Sequence, residues 1–464
     1  MSEPTSHVTA QKIGNYVAFV PAHCIVSRRA RKELRRWLRT NASDFVYGDS
    51  LHPTDDKFEE PIQVLRPGWS PERLRGHCYV GDVVVASNQL VAQAGGSAAL
   101  LLMSPHERAL VLSEQATSHA RAPLFLYTSS WEHRLPSVDL EAVMRHCERT
   151  GIDAQCVVNS DGSGVHVRRI VHGAPSVCVI VPTRGTKANV WGTNTVLAAH
   201  AIESLVRTST HQNFSVIAVV DADTTPEAIA AIDSAAPQRV TFVHYDRPFN
   251  FAEKINEAAV RTDAEFLLLL NDDTEALSPH LLTTMLEYFS DPSVGMVGPT
   301  LLYEDGSIQS AGHFFNPVPY DLYRKSPGNT AGAYNMLRVT REVSSVIAAC
   351  ALTRRDTFFA VGGLSPLFPG NYNDIDYALK LQMLKLRVLC TPFAECYHFE
   401  SKTREPVMKP VDVANLGARW RDKLENDPYS HPALQRYQPI WKSNRPGQRS
   451  VDEAMGPTAP IASK

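Results

Sequence analysis

Acidic and amide side chains follow an apolar run in the C-terminal two-thirds of the sequence. Asn271, Asp272 and Asp273 come directly after FLLLL. Two adjacent acids at the end of a buried strand suit a hard divalent cation. Such a cation would also bind the diphosphate oxygens of a nucleotide substrate. An Asx turn that closes the strand would use the same residues. Spacing alone leaves both interpretations open.

Strand and helix patterns alternate around these residues. The run SVCVIVPT from Ser176 is almost entirely apolar, which is typical of a strand buried on both faces. A helical pattern and the strand SVIAVV follow, then VTFVH, the helix FAEKINEAAV and the strand EFLLLL. The order predicts an α/β fold with a mostly parallel sheet, in which ligands bind beyond the carboxyl ends of the strands. Those ends carry Thr183, Arg184, Asp221, Asp223, Asn271, Asp272 and Asp273.

Several other classes of protein fit the sequence poorly. The first strand is followed by PTRGTKANVWG, which lacks the Gly-x-Gly-x-x-Gly pattern of a dinucleotide-binding dehydrogenase. The same loop has no glycine-rich, lysine-bearing segment to hold the triphosphate of a nucleotidyltransferase substrate. With 46 Lys and Arg against 49 Asp and Glu, bulk electrostatics do not favour nucleic-acid binding.

The length indicates two domains, or one domain enlarged by additions, and the cysteine spacing indicates reduced thiols. The chain has 464 residues, more than one compact core usually holds. Its eight cysteines form no Cys-x-x-Cys pair. The first residues are polar, and the longest uncharged apolar runs are too short to cross a bilayer. We therefore expect a cytoplasmic location, with peripheral association at the inner face of the plasma membrane as a second possibility.

A series of motifs extends from about Ser176 to Leu434. In order along the chain they are VIVPTRG, VVDADTT, FNFAEKINEAA, FLLLLNDDTEAL, GSIQSAGHFF, AACALTRRDTFFAVGGLSPLF, NYNDIDYALKLQ, AECYHFES and RWRDKLENDPYSHPAL. This ordered set resembles the inverting family 2 glycosyltransferases, which have the GT-A fold, a Rossmann-like fold that binds nucleotide-diphospho-sugars. The order is far more specific than any single motif.

The resemblance implies a nucleotide-sugar site. It assigns the base and ribose region to Pro182, Thr183, Arg184, Asp221 and Asp223, and a continuation of the nucleotide pocket to Asn250 and Asn256. Asp272 would contact the ribose or the sugar. Asn271 replaces the leading acid of the family motif, so it can still offer an amide oxygen but adds no charge.

The resemblance also implies a metal site. Asp273, the last acid of the motif, and His398 in YHFES would hold Mn²⁺ or Mg²⁺, and imidazole suits Mn²⁺ better. Without the motif, a single histidine after an apolar strand is more often structural. Glu400 in the same motif is a further candidate for this site.

Asp374 corresponds to the catalytic base of the family. Direct displacement at an anomeric carbon requires a carboxylate that takes the proton of the acceptor hydroxyl. Asn373 replaces the glutamate that usually precedes this residue, which leaves Asp376 as an alternative base. Asp376 could instead stabilise the start of the helix YALKLQMLK. Gly362 and Gly363 predict a tight turn nearby.

The N-terminal third resembles the back half of a second family 2 unit. FVYGDS, VLRPGWSPERLRGHCYVGDVVVASNQLV and APLFLYTSSWEH carry this resemblance, and GNYVAFV matches the strand before the acidic motif. Pro21, Ala22, His23 and Cys24 then replace the acids. We predict a degenerate partial GT-A-like domain over residues 1–170 for support or acceptor binding, a catalytic domain over 171–440 and a disordered tail over 441–464. His23 and Cys24 alone are weak evidence for a metal site.

Residues 27–41 predict a basic amphipathic helix. Seven Lys or Arg side chains accompany Leu34, Trp37 and Leu38. Such a helix could contact an anionic membrane, although a solvated surface helix is the commoner case.

The function predicted from the resemblance is sugar transfer. The donor would be a UDP- or dTDP-sugar, and the acceptor a glycan or lipid-linked glycan of the cell envelope, with rhamnosyl transfer favoured. The alternative is a non-catalytic nucleotide-sugar-binding or scaffold protein, because Asn271 and Asn373 replace acids.

Overall fold

The computed structural model describes residues 8–54, 60–400, 409–438, 441 and 443–444. The chain divides into two compact units. Unit 1 comprises residues 1–168, 330–341 and 428–464, and unit 2 comprises residues 169–329 and 342–427. The sequence-based division placed 330–341 and 428–440 in the catalytic domain, whereas the structure assigns both segments to unit 1.

Unit 1 is built on a seven-stranded mixed sheet. The strands of unit 1 are β1 (Val8–Ile13), β2 (Tyr16–Pro21), β3 (Cys24–Ile25), β4 (Phe45–His52), β5 (Ile62–Val64), β6 (Val84–Ser87), β7 (His119–Ser129), β8 (Ala154–Val158) and β9 (Val165–Arg169). Its helices are α1 (Arg28–Leu38), α2 (Pro71–Gly76), α3 (Asn88–Gln93), α4 (Gly96–Leu101), α5 (Pro105–Gln115) and α6 (Leu140–Thr150), with 3-10 turns at Trp131–His133 and Ala333–Asn335. The sheet order is β1-β2-β6-β4-β7-β3, with β5 paired to β4, and β8 and β9 form a separate hairpin.

Helix α1 is the predicted basic amphipathic helix. The Ser27 hydroxyl caps it by accepting from the backbone N–H of Ala30 at 3.1 Å. Its apolar residues Leu34 and Leu38 are buried in the core of unit 1, which leaves mainly charged side chains at the surface. This apolar face is therefore not free to enter a membrane. Of the helices in the described part of the chain, none combines the length and apolarity needed to span a bilayer.

A buried arginine ties the distant segments of unit 1 together. Arg66 is fully buried, and its guanidinium donates to the Tyr127 hydroxyl at 2.8 Å and to the backbone carbonyl of Gly48 at 2.9 Å. The Tyr334 hydroxyl, from the segment 330–341, lies 3.4 Å away. Such bonds are required because a buried charge without partners is strongly destabilising.

The segment after residue 428 also packs into unit 1. The ring of His431 lies 3.0 Å from the Asp49 carboxylate, and the indole N–H of Trp441 donates to the backbone carbonyl of Leu65 at 3.0 Å. Trp441 is buried although it begins the predicted disordered tail. Residues 442 and 445–464 of that predicted tail lie outside the described residues.

Unit 2 is built on a ten-stranded sheet with helices on both faces. The strands of unit 2 are β10 (Val177–Thr183), β11 (Lys187–Val190), β12 (Thr193–Val196), β13 (Phe214–Asp221), β14 (Val240–Tyr245), β15 (Phe266–Leu270), β16 (Thr274–Ala276), β17 (Val294–Leu302), β18 (Ile308–Ser310), β19 (His313–Phe315), β20 (Pro319–Asp321), β21 (Arg341–Glu342), β22 (Cys350–Arg354) and β23 (Arg387–His398). Of these, β11 pairs with β12 and β19 with β20 in two separate hairpins. Its helices are α7 (Leu197–Thr208), α8 (Pro226–Ala235), α9 (Phe251–Ala259), α10 (Leu281–Glu287), α11 (Arg355–Ala360), α12 (Asn373–Met383) and α13 (Pro410–Glu425), with a 3-10 turn at Tyr288–Ser290.

The sheet of unit 2 confirms the predicted α/β fold. Its order is β14-β13-β10-β15-β22-β17-β23-β16, and the first four strands are parallel. The second half is mixed because β22 runs antiparallel to both β15 and β17, so parallel pairing is less extensive than predicted. Strand β10 is buried on both faces, with Val179 in one hydrophobic core and Ile180 in another.

Five strands of each unit share one topology. Unit 1 contains the order β2-β6-β4-β7-β3, and unit 2 contains β15-β22-β17-β23-β16. In both series only the third and fourth strands pair in parallel, and the other neighbours are antiparallel. A short extra strand also pairs antiparallel with the third strand of each series, β5 in unit 1 and β18 in unit 2.

Candidate active site

An open cavity of about 910 Å³ lies in unit 2 at the carboxyl ends of the parallel strands. The structure brings together ten of the residues singled out from the sequence as its lining: Pro182, Thr183, Arg184, Asp221, Asp223, Asn271, Asp272, Asp273, Asp374 and His398. Three others, Asn250, Asn256 and Asp376, do not line it.

One end of the cavity carries the acids that follow β13. Asp221 ends this strand, and its carboxylate lies 2.5 Å from the ammonium group of Lys254. Lys254 is almost fully buried on α9, and the ion pair with Asp221 stabilises the positive charge of this buried side chain. Arg184 donates to the exposed Asp223 carboxylate at 2.7 Å. The sequence analysis missed Lys254, which no motif distinguished from the other charged residues of an amphipathic helix.

Asn250 and Asn256 hold the backbone rather than line the cavity. Asn250 caps α9, because its side-chain oxygen accepts from the backbone N–H of Glu253 at 3.2 Å. The amide of Asn256 donates to the carbonyl of Leu364 at 2.8 Å and accepts from its N–H at 2.9 Å. Gly363 lies at a left-handed φ of +64° in the predicted glycine turn, which brings Leu364 to Asn256. Their expected place in the nucleotide pocket is therefore corrected to a structural role.

Asp272 and Asp273 follow β15 and point to different partners. The Thr183 hydroxyl donates to the Asp272 carboxylate at 2.6 Å. Burial and the adjacent charge of Asp273 raise the pKa of Asp272 to about 7. The Asp273 carboxylate lies 3.2 Å from Nε2 of His398. Burial opposes ionisation of Asp273, but the nearby imidazole outweighs it and lowers the pKa of this carboxyl.

His398 is oriented by a glutamine that the sequence analysis did not single out. Its Nδ1 lies 2.6 Å from Oε1 of Gln309, and the Gln309 amide donates back to the His398 carbonyl at 3.2 Å. Since an amide oxygen only accepts, Nδ1 donates to Gln309. Burial disfavours the charged ring, but the Asp273 carboxylate outweighs it and raises the pKa of His398, so Nε2 would become a ligand atom when a cation replaces its proton. This Nε2 faces Asp273 and lies 3.3 Å from the side-chain nitrogen of Asn271. Asp273 and His398 together offer one carboxylate and one imidazole nitrogen, a pair that fits a divalent cation such as Mn²⁺.

Asp374 lies in the first turn of α12 on another wall of the cavity. The backbone N–H groups of Ile375 and Ala348 donate to its carboxylate at 2.8 and 3.3 Å. Burial raises the pKa of Asp374, although the nearby His313 and these two bonds oppose the rise. The side chain remains partly exposed to the cavity, so it can receive a proton from a bound molecule.

Asp376 is a structural residue and not an alternative base. It is fully buried, and its carboxylate accepts from the indole N–H of Trp420 at 2.8 Å and lies 3.2 Å from Nε of Arg419. Both partners belong to α13. Residues two apart on a helix point about 200° apart, so Asp374 faces the cavity while Asp376 faces the neighbouring helix.

Four further polar side chains line the cavity, and of these only Glu400 was singled out from the sequence. His313 and Asp321 pair at 3.4 Å, and Arg324 donates to the Glu400 carboxylate at 2.8 Å. His313 lies in the motif GSIQSAGHFF. This motif identified the segment as part of the glycosyltransferase resemblance, but nothing in it distinguished His313 as a site residue.

Part of the chain is similar to known proteins. A family model described as Glycosyl transferase family 2 matches residues 152–359. Residues 152–359 therefore carry a family 2 glycosyltransferase domain. The matched part of this domain includes Asp221, Asn271, Asp272 and Asp273 but ends before Asp374 and His398. The predicted GT-A class agrees with this family and with the α/β topology of unit 2.

Two curated relatives match the chain that contains this glycosyltransferase domain. The O-antigen biosynthesis protein RfbC of Myxococcus xanthus is 28% identical over 440 residues, which cover 91% of this chain and 34% of the relative. The uncharacterised protein y4gI of Sinorhizobium fredii is 33% identical over 278 residues, which cover 57% of this chain and 30% of the relative. The chain thus spans about a third of the length of these relatives.

Two solved structures are similar to part of the chain at low sequence identity. GalNAc-T7 with UDP, GalNAc and Mn²⁺ has a TM-score of 0.44 and 12% identity, over 61% of this chain and 55% of the other. The mannosyltransferase PcManGT from Pyrobaculum calidifontis, with GDP-Man and Mn²⁺, has a TM-score of 0.35 and 20% identity, over 54% of this chain and 61% of the other.

Proposed function

We propose that unit 2 is an inverting, metal-dependent glycosyltransferase that moves a sugar from a nucleotide-sugar to a hydroxyl of a glycan. The observation that carries this proposal is one continuous cavity. It joins the nucleotide-side acid Asp221, the Asp273–His398 pair and the partly exposed carboxylate of Asp374. Donor, cation and acceptor would therefore meet within one space.

Each group in the cavity has a distinct chemical task. Asp221 and Asp223 present carboxylates suited to the hydroxyls of a ribose. Asp273 and His398 would hold the divalent cation, which supplies positive charge for the departing nucleoside diphosphate. Asp374 takes the proton of the acceptor hydroxyl while its oxygen bonds to the anomeric carbon and the bond to the diphosphate breaks. Attack from the face opposite the leaving group inverts the configuration.

The proposed donor follows from the family resemblance, and the proposed acceptor from the name of a relative. A UDP- or dTDP-sugar is our proposed donor, with rhamnosyl transfer favoured. The Myxococcus xanthus relative is named for O-antigen biosynthesis, which supports a cell-envelope polysaccharide or its lipid-linked precursor as the acceptor.

Unit 1 is proposed to be a truncated copy of the catalytic fold. Its five-strand series matches that of unit 2 in order and direction, but its described residues form no counterpart of the parallel strands β14, β13 and β10. Those strands carry the nucleotide-side residues Thr183 and Asp221. Unit 1 would therefore support unit 2 or bind acceptor rather than bind a second donor.

The decisive experiment compares two aspartates on one helix. Asp374→Asn should abolish sugar transfer and leave donor binding nearly intact, because the amide cannot accept the hydroxyl proton. Asp376→Asn is the matched control, since its side chain faces α13, and it should retain transfer. The measurements are nucleoside diphosphate release with Mn²⁺ across UDP-, dTDP- and GDP-sugars, and donor binding by calorimetry.

The same experiment addresses the non-catalytic alternative. Asn271 and Asn373 favour that alternative because each replaces an acid. If the wild-type protein binds a donor but gives no metal-dependent turnover with any of them, the protein is a binding or scaffold protein. Full transfer activity in Asp374→Asn would instead overturn the role given to Asp374.

A further inference from the structure

A cluster of three different metal-ligating side chains lies in unit 1, apart from the candidate active site. His23 and Cys24 lie where β2 gives way to β3, and Asp82 lies just before β6. One ligand atom from each residue lies within 4.8 Å of the other two. The sequence separates Asp82 from the other two by almost 60 positions, so only the fold brings it to them.

The register of the sheets places this cluster at the position of the proposed metal pair, Asp273 and His398, in unit 2. Continuing the β2–β6 pairing, in which Phe19 faces Val84, brings Pro21 opposite Asp82. In unit 2 the equivalent pairing brings Asn271 opposite Ala349. Counting on from Pro21 and Asn271 then matches His23 to Asp273, and Asp82 to Ala349.

A second strand pairing gives the same alignment independently. Cys24 pairs with Ser129 between β3 and β7, just as Thr274 pairs with His398 between β16 and β23. Cys24 therefore occupies the position of Thr274, and Ser129 that of His398. Unit 1 therefore has a serine where unit 2 has His398. Its histidine, His23, instead aligns with Asp273 and lies together with Cys24 and Asp82.

The chemistry of the three ligands selects a softer cation than that expected in unit 2. Imidazole, thiolate and carboxylate together suit Zn²⁺, whereas a thiolate is a poor ligand for Mg²⁺. Nε2 of His23 and Oδ2 of Asp82 lie 3.3 Å apart. Nitrogen and oxygen ligands each about 2.0 Å from a tetrahedral ion lie about 3.3 Å apart, so this pair needs almost no movement.

The surroundings of the cluster suit a bound ion. Cys24 and Asp82 are buried, while the side chain of His23 is 20% exposed and gives access from solvent. The exposed ring of His133 stacks on His23, with ring centroids 3.8 Å apart. Three protein ligands leave a fourth position for His133 or a water molecule.

We propose that His23, Cys24 and Asp82 form a zinc site in unit 1, independent of the cation in the candidate active site. Zinc there would join β2, β3 and the start of β6. Because the cluster lies at the position of the proposed cation site of unit 2, unit 1 would have a thiolate ligand where the pair in unit 2 has none. This inference does not depend on sugar transfer.

Cobalt spectroscopy of the full chain tests the proposal. Co²⁺ bound to a thiolate gives a ligand-to-metal charge-transfer absorption, which a site made of nitrogen and oxygen ligands does not give. We expect this absorption in the metal-free wild-type protein after addition of Co²⁺, and its loss when one equivalent of Zn²⁺ displaces the cobalt. Metal analysis after dialysis against Zn²⁺ should find this equivalent retained.

Four variants locate the site. Cys24→Ser should lose the charge-transfer absorption, and Asp82→Asn should weaken Co²⁺ binding by more than about 10-fold. Cys156→Ser, which changes another cysteine of unit 1 outside the cluster, should keep both properties. Asp273→Asn in unit 2 should also keep the absorption, which separates this site from the proposed active site.

The opposite results are equally clear. If Cys24 is an ordinary buried thiol beside a His23–Asp82 ion pair, the wild-type protein will show no charge-transfer absorption. An absorption that persists in Cys24→Ser would place the metal on another cysteine. Circular dichroism of each variant ensures that loss of the signal does not come from unfolding, and Asp82→Asn, which leaves the thiol in place, provides a second test if Cys24→Ser unfolds.

Discussion

At the scale of single residues, the surroundings of each carboxylate determine its chemical role. Asp374 and Asp376 are both acids in the first turn of one helix, yet only Asp374 lines the cavity. Asp272 and Asp273 are adjacent, yet Asp272 accepts a hydrogen bond from Thr183 whereas Asp273 pairs with His398. Residue type and spacing therefore identify sets of possible ligands and bases, and the contacts select among them.

The raised pKa of Asp374 predicts a pH dependence of transfer. The base must be ionised to accept a proton, so kcat/KM should fall as the pH drops through a pKa above the ordinary aspartate value of about 3.9. A pH–rate profile measures this acidic limb. An acidic limb at the ordinary aspartate pKa, or none over the accessible range, would contradict the assignment of Asp374, with its raised pKa, as the base.

The same pKa shift has a consequence for stability. A carboxyl whose pKa is raised by folding stabilises the protein below its ordinary pKa, and this contribution is lost as the pH rises through the raised value. At neutral pH the buried charge of Asp374 is therefore unfavourable. Asp374→Asn should leave the urea midpoint unchanged or slightly higher, so its loss of activity would not come from unfolding.

At the scale of elements, the ends of strands and the turns between helices position the cavity. Strands β10, β13 and β15 are parallel neighbours, so the residues that follow them meet at one edge of the sheet. Helix α9 adds the buried Lys254 from one side, and α12 adds Asp374 from another. The glycine turn after α11 connects to α9 through Asn256 and Leu364.

Gly363→Ala should destabilise the protein by about 1–3 kcal/mol, because alanine is strained at this positive φ. A β-carbon here would also lie 2.5 Å from the side-chain oxygen of Asn256. Gly362→Ala is the matched control: its φ is +78°, but a β-carbon there meets no atom within 4 Å. Urea unfolding should show the larger loss for Gly363→Ala, and equal losses would show that the contact with Asn256 contributes nothing.

At the scale of the whole molecule, unit 1 is assembled from three separated stretches of chain. Residues 330–341 and 428–444 contribute Tyr334, His431 and Trp441 to contacts with Arg66, Asp49 and Leu65. A chain shortened to end at about residue 427 would therefore lack part of unit 1, although all of unit 2 would be present.

Trp441→Ala should destabilise unit 1 by about 3–5 kcal/mol, because it removes a buried aromatic side chain and its bond to Leu65. Tyr437→Ala provides the control from the same segment, since its side chain is 59% exposed, and should change stability by less than about 0.5 kcal/mol. Denaturant unfolding followed by tryptophan and far-ultraviolet signals measures both. Equal effects of the two substitutions would contradict the packing of this segment into unit 1.

The sequence by itself determined the local features of this protein. Unbroken apolar runs and helical spacing predicted the α/β order of unit 2, and the ordered motifs identified the family and the residues at the strand ends. These features depend on backbone periodicity and on neighbours within a few positions. They therefore remain visible without a structure.

Only the tertiary structure decided which distant residues meet. It separated Asp374 from Asp376, gave Asn250 and Asn256 a structural role, and supplied Gln309 to His398. It also brought Asp82 to His23 and Cys24, and returned residues 330–341 and 428–444 to unit 1. The physical reason is that these contacts depend on side-chain packing between elements far apart in the chain, which no local pattern of residue types records.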